Sequence, residues 1–259
     1  MARPSHGGYA PLIKPRAAFA AEMGPTVNAV QIEVLTGRAL VDGAEIVLCP
    51  AHRLLVCALA RCRHPVPREQ LQAVIWPDDD PARASNLLNI ALHRLRKRLG
   101  DGAIVQSPDG YRFGDAVVLD LWEVEALATQ LRRARTPDLA TAARWLPVAR
   151  RVCCGCVRTA ADPEFVCALE RRMQAAAREI TARLAEHALA KRCAEIALDL
   201  VRVTLDFDAC DEDAREIAIR AHVALGDRAA AIREYRDYTR ALTEDLGLAP
   251  SFALRSLVA

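Results

Sequence analysis

ARASNLLNIALHRLRKRL, residues 82–99, decides how this chain is read. The segment predicts one helix with two faces. Leu88, Leu92, Leu95 and Leu99 recur at i, i+4, i+7 and i+11 and form an apolar stripe. Asn86, Asn89, Ile90, His93, Arg94 and Lys97 fall on the other side, with Arg96 and Arg98 flanking it. No acidic residue occurs between Ala82 and Leu99. A helix that is apolar behind and Asn, His, Arg and Lys in front suits the major groove of DNA. There arginine pairs bidentately with guanine and asparagine with adenine. An amphipathic helix with a solvated basic face fits the same residues, so the neighbouring segments must arbitrate.

Upstream, Val30–Leu35 alternates as a strand does, Asp42-Gly43 marks a tight turn, and Glu45–Leu48 reads as the returning strand. Pro50 opens a helix whose apolar side is Leu54, Leu55, Ala58 and Leu59, and Pro65 and Pro67 break it. A short second helix spans Arg68–Ile75 and stops at Trp76-Pro77. Asp78, Asp79 and Asp80 form an acidic loop, and Asp80-Pro81 supplies an N-cap and first-turn proline to the 82–99 helix. Gly100 closes it. Ala103–Ser107 and Tyr111–Phe113 read as strands around the turn Pro108-Asp109-Gly110. The order is strands, three helices, hairpin.

Downstream everything reads as helix: 120–134, 138–151, 163–189, 191–206, 211–225 and 228–246. Asp162-Pro163 starts one helix, Asp211–Asp213 places acid in a first turn, and Gly226 and Gly247 act as stops. Ala194–Leu198 and Ala230–Tyr235 resemble each other at a spacing close to the ~34 residues of helix-pair repeats. The expected architecture is mainly α: a winged helix-turn-helix domain with small strands over 28–120, then an all-α, TPR-like domain over 121–259. Residues 1–27, rich in proline and glycine, read as a flexible arm with a short helix near 17–23.

The net charge is only +2, which argues against a generic polyanion binder. Residues 28–120 carry eleven basic and eleven acidic side chains, and residues 121–259 carry twenty-one of each. Any affinity for nucleic acid must therefore come from local clustering, as on 82–99. No apolar run approaches the roughly 20 residues that span a bilayer, and the N-terminal segment shows no signal-peptide pattern. Nine cysteines, an odd count within mostly helical pattern, fit free thiols in a reducing compartment.

Several short motifs carry a family likeness. ValProArgGluGlnLeu (66–71), IleTrpProAsp (75–78), LeuHisArgLeuArgLysArgLeuGly (92–100) and GlyTyrArgPhe (110–113) resemble the OmpR-type winged helix. AspProGluPheVal (162–166), AlaLeuGluArg (168–171), AlaLeuGly (224–226), ArgGluTyrArg (233–236) and LeuGlyLeuAlaProSer (246–251) resemble the bacterial transcriptional activation domain. In this order they look like a short regulator of the SARP type. The resemblance implies a cytoplasmic, DNA-binding transcription factor, an activator rather than an enzyme. Its implied partners are double-stranded DNA, RNA polymerase and a second copy bound side by side on direct repeats, with no membrane. It calls for no cofactor, and no receiver or nucleotide-binding module is expected.

On this reading Arg94 is the foremost base contact, and Asn86, Asn89, Ile90 and His93 share its face. A phosphate contact or plain solvation is the alternative for each polar residue. Lys97 and Arg98 are expected on phosphates, which position a protein without reading sequence, and one of Arg96 or Arg98 is open to a packing role. Arg112 is expected as a phosphate or minor-groove contact of the wing, with Tyr111 and Phe113 anchoring the hairpin. Asp109 at the wing tip works against deep insertion. Asp78, Asp79 and Asp80 either face the polymerase or merely cap the helix. CysCysGlyCys (153–156) sets Cys153 and Cys156 at metal spacing beside Cys154, but no second pair follows, so structural thiols are expected over a metal or redox site. Two rival functions remain: an interaction module with little or no DNA binding, and a regulator responding to an effector or to oxidation at 153–156.

Overall fold

The computed structural model describes residues 30–133, 137–154 and 162–257. The expected arm at 1–27 lies outside them, as does Cys156.

Strands β1 (Val30–Glu33), β2 (Arg38–Val41) and β3 (Ala44–Val47) form an antiparallel meander. Asp42 and Gly43 both take positive φ, 49° and 81°, the two-residue turn whose twist matches paired strands. Three helices follow: α1 (Pro50–Ala60), α2 (Arg68–Ile75) and α3 (Pro81–Leu99). Strands β4 (Ile104–Ser107) and β5 (Gly110–Phe113) make the hairpin. Then β6 (Val117–Leu119) returns to lie parallel to β1, giving the sheet order β3-β2-β1-β6. Sequence reading found β1, β3, β4 and β5 but missed β2 and β6, runs of four and three residues defined by their neighbours: β2 by β1 and β3, and β6 by β1.

The hairpin is tied to the α1–α2 connection. The Val66 N–H donates to Tyr111 O at 2.8 Å, and the Tyr111 N–H donates to Val66 O at 2.9 Å. Gly110 makes this approach feasible: its φ is +132°, and a Cβ there would lie 2.1 Å from the Val66 carbonyl oxygen.

The second half is helical: α4 (Asp120–Arg133), α5 (Leu139–Cys154), α6 (Glu164–Ala190), α7 (Ala194–Phe207), α8 (Glu212–Ala224), α9 (Arg228–Ala241) and α10 (Phe252–Ser256). Helix α6 is the spine, packing on α4, α5, α7 and α8. Asp211 and Asp227 cap α8 and α9 by accepting from Ala214 and Ala230 N–H groups. Gly226 and Gly247 take the left-handed stops expected of them, at φ 76° and 66°. One expectation fails: the 228–246 helix ends at Ala241 and continues as a π-helical turn over Leu242–Leu246. Thr239 and Thr243 hydroxyls donate to the carbonyls of Tyr235 and Thr239, four residues back in each case, and such bonds loosen the helical ladder.

One apolar core runs from the sheet through α1–α3 into α4–α8, and a small second cluster lies beneath α9 around Tyr238. Polar bonds also cross the junction between the halves. The Trp122 indole donates to Ala60 O at 3.2 Å, the Arg172 guanidinium to Arg61 O at 3.0 Å, and Arg53 grips Asp162 with two bonds at 2.8 and 3.1 Å. At the same junction the Val34 N–H donates to the Asp120 carboxylate at 3.0 Å. The two halves are thus one packed body, and what faces outward from α3 is fixed relative to both.

Candidate nucleic-acid interface

Asp80 starts α3 by accepting from the N–H groups of Ala82 and Arg83, both at 3.0 Å, with Pro81 in the first turn. Leu88, Leu92, Leu95 and Leu99 are all buried. That rotation leaves Asn86, Asn89, Ile90, His93, Arg94 and Lys97 exposed together. Ile90 is 44 % exposed, a large apolar side chain set among polar ones. Neither the sheet nor the helical half covers this face. Among the described residues, Asn86, His93, Arg94 and Lys97 make no hydrogen bond or ion pair.

The two flanking arginines differ from these. Arg96 Nε donates to Ile104 O at 2.9 Å, and its guanidinium lies 6.0 Å from the Tyr111 ring centre, so it ties the helix to the hairpin. Arg98 stays exposed but directs one Nη2 donor to Val47 O at 3.0 Å. Arg96 therefore serves the frame, the packing role left open for one of the two, while Arg98 spends one donor on the frame and keeps its guanidinium exposed. His52 lies buried in α1. Burial first, then the nearby Arg98 and Arg94 charges, hold its pKa below the ordinary value.

In the wing, Tyr111 and Phe113 are buried as anchors, and Phe113 meets Trp122 edge-to-face at 5.9 Å. Arg112 between them is not free: its Nη1 donates to Asp115 Oδ1 and to Phe113 O, each at 2.9 Å. Asp109 is exposed at the tip. Of the acidic loop, Asp80 caps α3 and Asp79 pairs with Arg83 at 3.0 Å, while Asp78 projects into solvent. Cys153 and Cys154 close α5, and Cys156 lies outside the described residues. Cys49, Cys62, Cys167, Cys193 and Cys210 are free thiols, Cys57 is buried with its thiol donating to Val34 O, and among the described residues no group of three or more His, Cys, Asp or Glu could hold a metal ion.

One participant escaped sequence reading. Arg68, the first residue of α2, reaches across to α3 and the wing at once. Its Nη2 donates to Ser85 Oγ at 2.8 Å, Ser85 O at 3.0 Å and Asn89 Oδ1 at 2.9 Å, and its Nη1 donates to Tyr111 OH at 3.1 Å. The available signal was a cation in a first helical turn, where the helix dipole disfavours it unless other groups hold it.

The bacterial transcriptional activator domain family matches residues 119–259, more than half of the chain. No protein of curated function matches. Among solved structures, the chain is similar to Mycobacterium tuberculosis EmbR, a structure with a low-affinity phosphopeptide, at 22 % identity and a TM-score of 0.62. The match covers 89 % of this chain and 63 % of that one, so this chain spans less than two thirds of its neighbour's length. At that identity the likeness speaks for the fold, and it extends over the winged-helix half as well as the helical half. No helix among the described residues is long and apolar enough to cross a membrane. The chain belongs to the bacterial transcriptional activator domain family.

Proposed function

We propose that this regulator binds double-stranded DNA sequence-specifically and activates transcription by recruiting RNA polymerase. Residues 28–120 form the DNA-binding domain and 121–259 the activator domain. Helix α3 enters the major groove, where Arg94, Asn86, Asn89, Ile90 and His93 meet base edges and Lys97 and Arg98 meet phosphates. The β4–β5 hairpin lies along the backbone. Arg112 reaches a phosphate there by exchanging Asp115, an exposed partner, for the DNA. Asp78 is the loop residue best placed to meet polymerase, since Asp79 and Asp80 are engaged in starting α3. The helical domain contributes the dimer contacts that seat two copies on direct repeats. The setting is the cytoplasm.

The observation that carries this reading is the state of α3: Leu88, Leu92, Leu95 and Leu99 are buried, and Arg94, Lys97, His93 and Asn86 are exposed with no side-chain partner among the described residues. Selection of bound duplexes from a random pool tests it. The full chain should enrich a defined site, and Arg94→Ala should cost about 1–3 kcal/mol at one position of it. If Arg94→Ala changes neither affinity nor preference, the docking assignment is wrong. The rival interaction module rests on the equal charges of residues 28–120. It expects no gel shift of any duplex at low salt.

A further inference from the structure

Asn89 lies on the outward face of α3, yet its amide is not free to turn. Arg68 Nη2 lies 2.9 Å from Asn89 Oδ1 and is itself held by Ser85 Oγ and Ser85 O on the same helix. The other arm of the guanidinium is anchored on the Tyr111 hydroxyl at 3.1 Å. Tyr111 in turn is buried and bridged to Val66 by two backbone bonds. A guanidinium has donors only. The amide oxygen must therefore face Arg68, and the Nδ2 donors must face away from it, toward the outer edge of the helix. The usual ambiguity between an asparagine's oxygen and nitrogen is removed by the chemistry of its neighbour.

We propose that Arg68 is a positioning residue for sequence recognition: it locks the Asn89 amide so that Asn89 presents a donor edge to DNA and rejects cytosine. This rests on the DNA reading above. A free asparagine can flip, accepting from a base donor in one orientation and donating to a base acceptor in the other. In the major groove, cytosine offers only its N4 donor, whereas both purines offer the N7 acceptor and thymine offers O4. With the flip removed, Asn89 meets cytosine donor to donor. Arg68 itself touches no base. It acts through Asn89, and its bonds to Ser85 and Tyr111 keep α2, α3 and the wing in one register.

The test is selection of bound duplexes from a random pool with the full chain, comparing wild type, Arg68→Met and Asn89→Asp. Methionine keeps the length of the side chain and removes every donor. Aspartate keeps an acceptor for Arg68 and replaces the outward donors with an acceptor. In the wild type, the position that responds to Asn89→Asp should disfavour cytosine by roughly fivefold or more, the lower end of what a good base contact discriminates. Asn89→Asp should turn that position toward cytosine. Arg68→Met should bring the cytosine penalty there close to one while the Arg94 position keeps its preference.

The proposal is overturned if Arg68→Met leaves the cytosine penalty intact. It is equally overturned if Arg68→Met weakens all positions alike, as a purely structural arginine would. Should thermal melting show that Arg68→Met does not fold, the wild type and Asn89→Asp decide: a wild-type cytosine penalty at the position that Asn89→Asp turns toward cytosine supports the lock, and the absence of that penalty, or a site unchanged by Asn89→Asp, overturns it. A site that Arg94→Ala relaxes but neither other variant alters would keep the DNA reading and refute only the lock. Failure of the wild type to enrich any sequence would remove both.

Discussion

In the helical half Arg132 meets Glu179, Arg172 meets Glu125, and Arg220 meets Glu186 and Glu216, whereas on α3 Arg94 and Lys97 meet no carboxylate among the described residues. Both halves have equal numbers of basic and acidic side chains from residue 28 onward, so net charge cannot tell them apart. Placement does. In the helical half, acids stand opposite bases on the neighbouring helix, and Arg132, Glu179 and Arg183 form a short ladder between α4 and α6. In the winged half Asp78–Asp80, Asp101, Asp109 and Asp115 sit in loops, and among the described residues none of them pairs with Arg94 or Lys97. The field of a protein is set by such local arrangements. An unpaired basic surface is a candidate for a polyanion; a paired one is the fabric of a scaffold.

The comparison presumes that both halves share one frame, and the largest predicted effect probes that. Trp145 is 2 % exposed in the helical half, and its indole donates to Thr181 Oγ1 at 3.0 Å. Trp145→Ala should cost about 3–5 kcal/mol, as large-to-small changes in a core do. Because the core is continuous, denaturant unfolding followed by fluorescence and by far-UV circular dichroism should give coincident transitions. Two separated transitions, with only the helical half destabilised, would show that the halves are independent and that their faces are not held in fixed relation.

Next comes Gly110→Ala. The new Cβ would collide with the Val66 carbonyl, and φ at that position suits glycine alone. A cost of about 1–3 kcal/mol is expected from backbone strain, with loss of DNA affinity as the wing detaches from the α1–α2 connection. A variant that lost stability but bound DNA unchanged would confine the interface to α3.

The joint itself should respond to pH. Burial raises the Asp120 carboxyl to about 7, although the Val34 and Leu121 N–H bonds and the Arg151 charge act the other way and Glu33 adds to the rise. Burial, and then Asp120, raise Glu123 to about 7 as well, and its Oε2 atom is buried without a partner. A carboxyl whose folded pKa exceeds its unfolded value holds a proton in the native state that the unfolded chain has already released. Stability from these groups is therefore full below the unfolded value near 4, and it is lost as pH rises toward and through about 7. Asp120→Asn, which keeps an oxygen for the two N–H donors, should flatten the fall in melting temperature between pH 5 and 8, and adding Glu123→Gln should flatten it further. An unchanged slope would show that the joint does not hold these protons.

Much of this was legible beforehand, for reasons visible in particular residues. The faces of α3 followed from leucine spacing, and its start followed from Asp80-Pro81, because both are local signals that tertiary packing reinforced. The helical half was legible for the same reason, down to Gly226 and Gly247. Strand β6 was not: three residues acquire strand identity only when β1 lies beside them. Nor was the role of Arg68. It depends on Ser85, Asn89 and Tyr111 converging on one guanidinium from two other elements, and no periodicity announces such a meeting. The division of the basic residues into paired and unpaired sets was equally invisible, since it depends on which helices become neighbours.

The smallest effects draw the contrast most directly, by deleting one charge from each surface. Arg220 holds Glu186 by two bonds at 2.6 and 3.1 Å in a partly exposed setting. Arg220→Ala should cost no more than about 1 kcal/mol of stability, the usual range for exposed pairs. It should leave DNA affinity and its salt dependence unchanged, because Glu186 and Glu216, the acids it releases, belong to α6 and α8 rather than to the winged half. Lys97→Ala should do the reverse. With no partner to lose, it should leave the melting temperature in place, weaken binding to all duplexes about equally, and reduce the slope of log affinity against log salt by about one. Equal responses from the two variants would collapse the distinction: if Arg220→Ala lowered the salt slope as much as Lys97→Ala, the helical half would itself be part of the DNA surface.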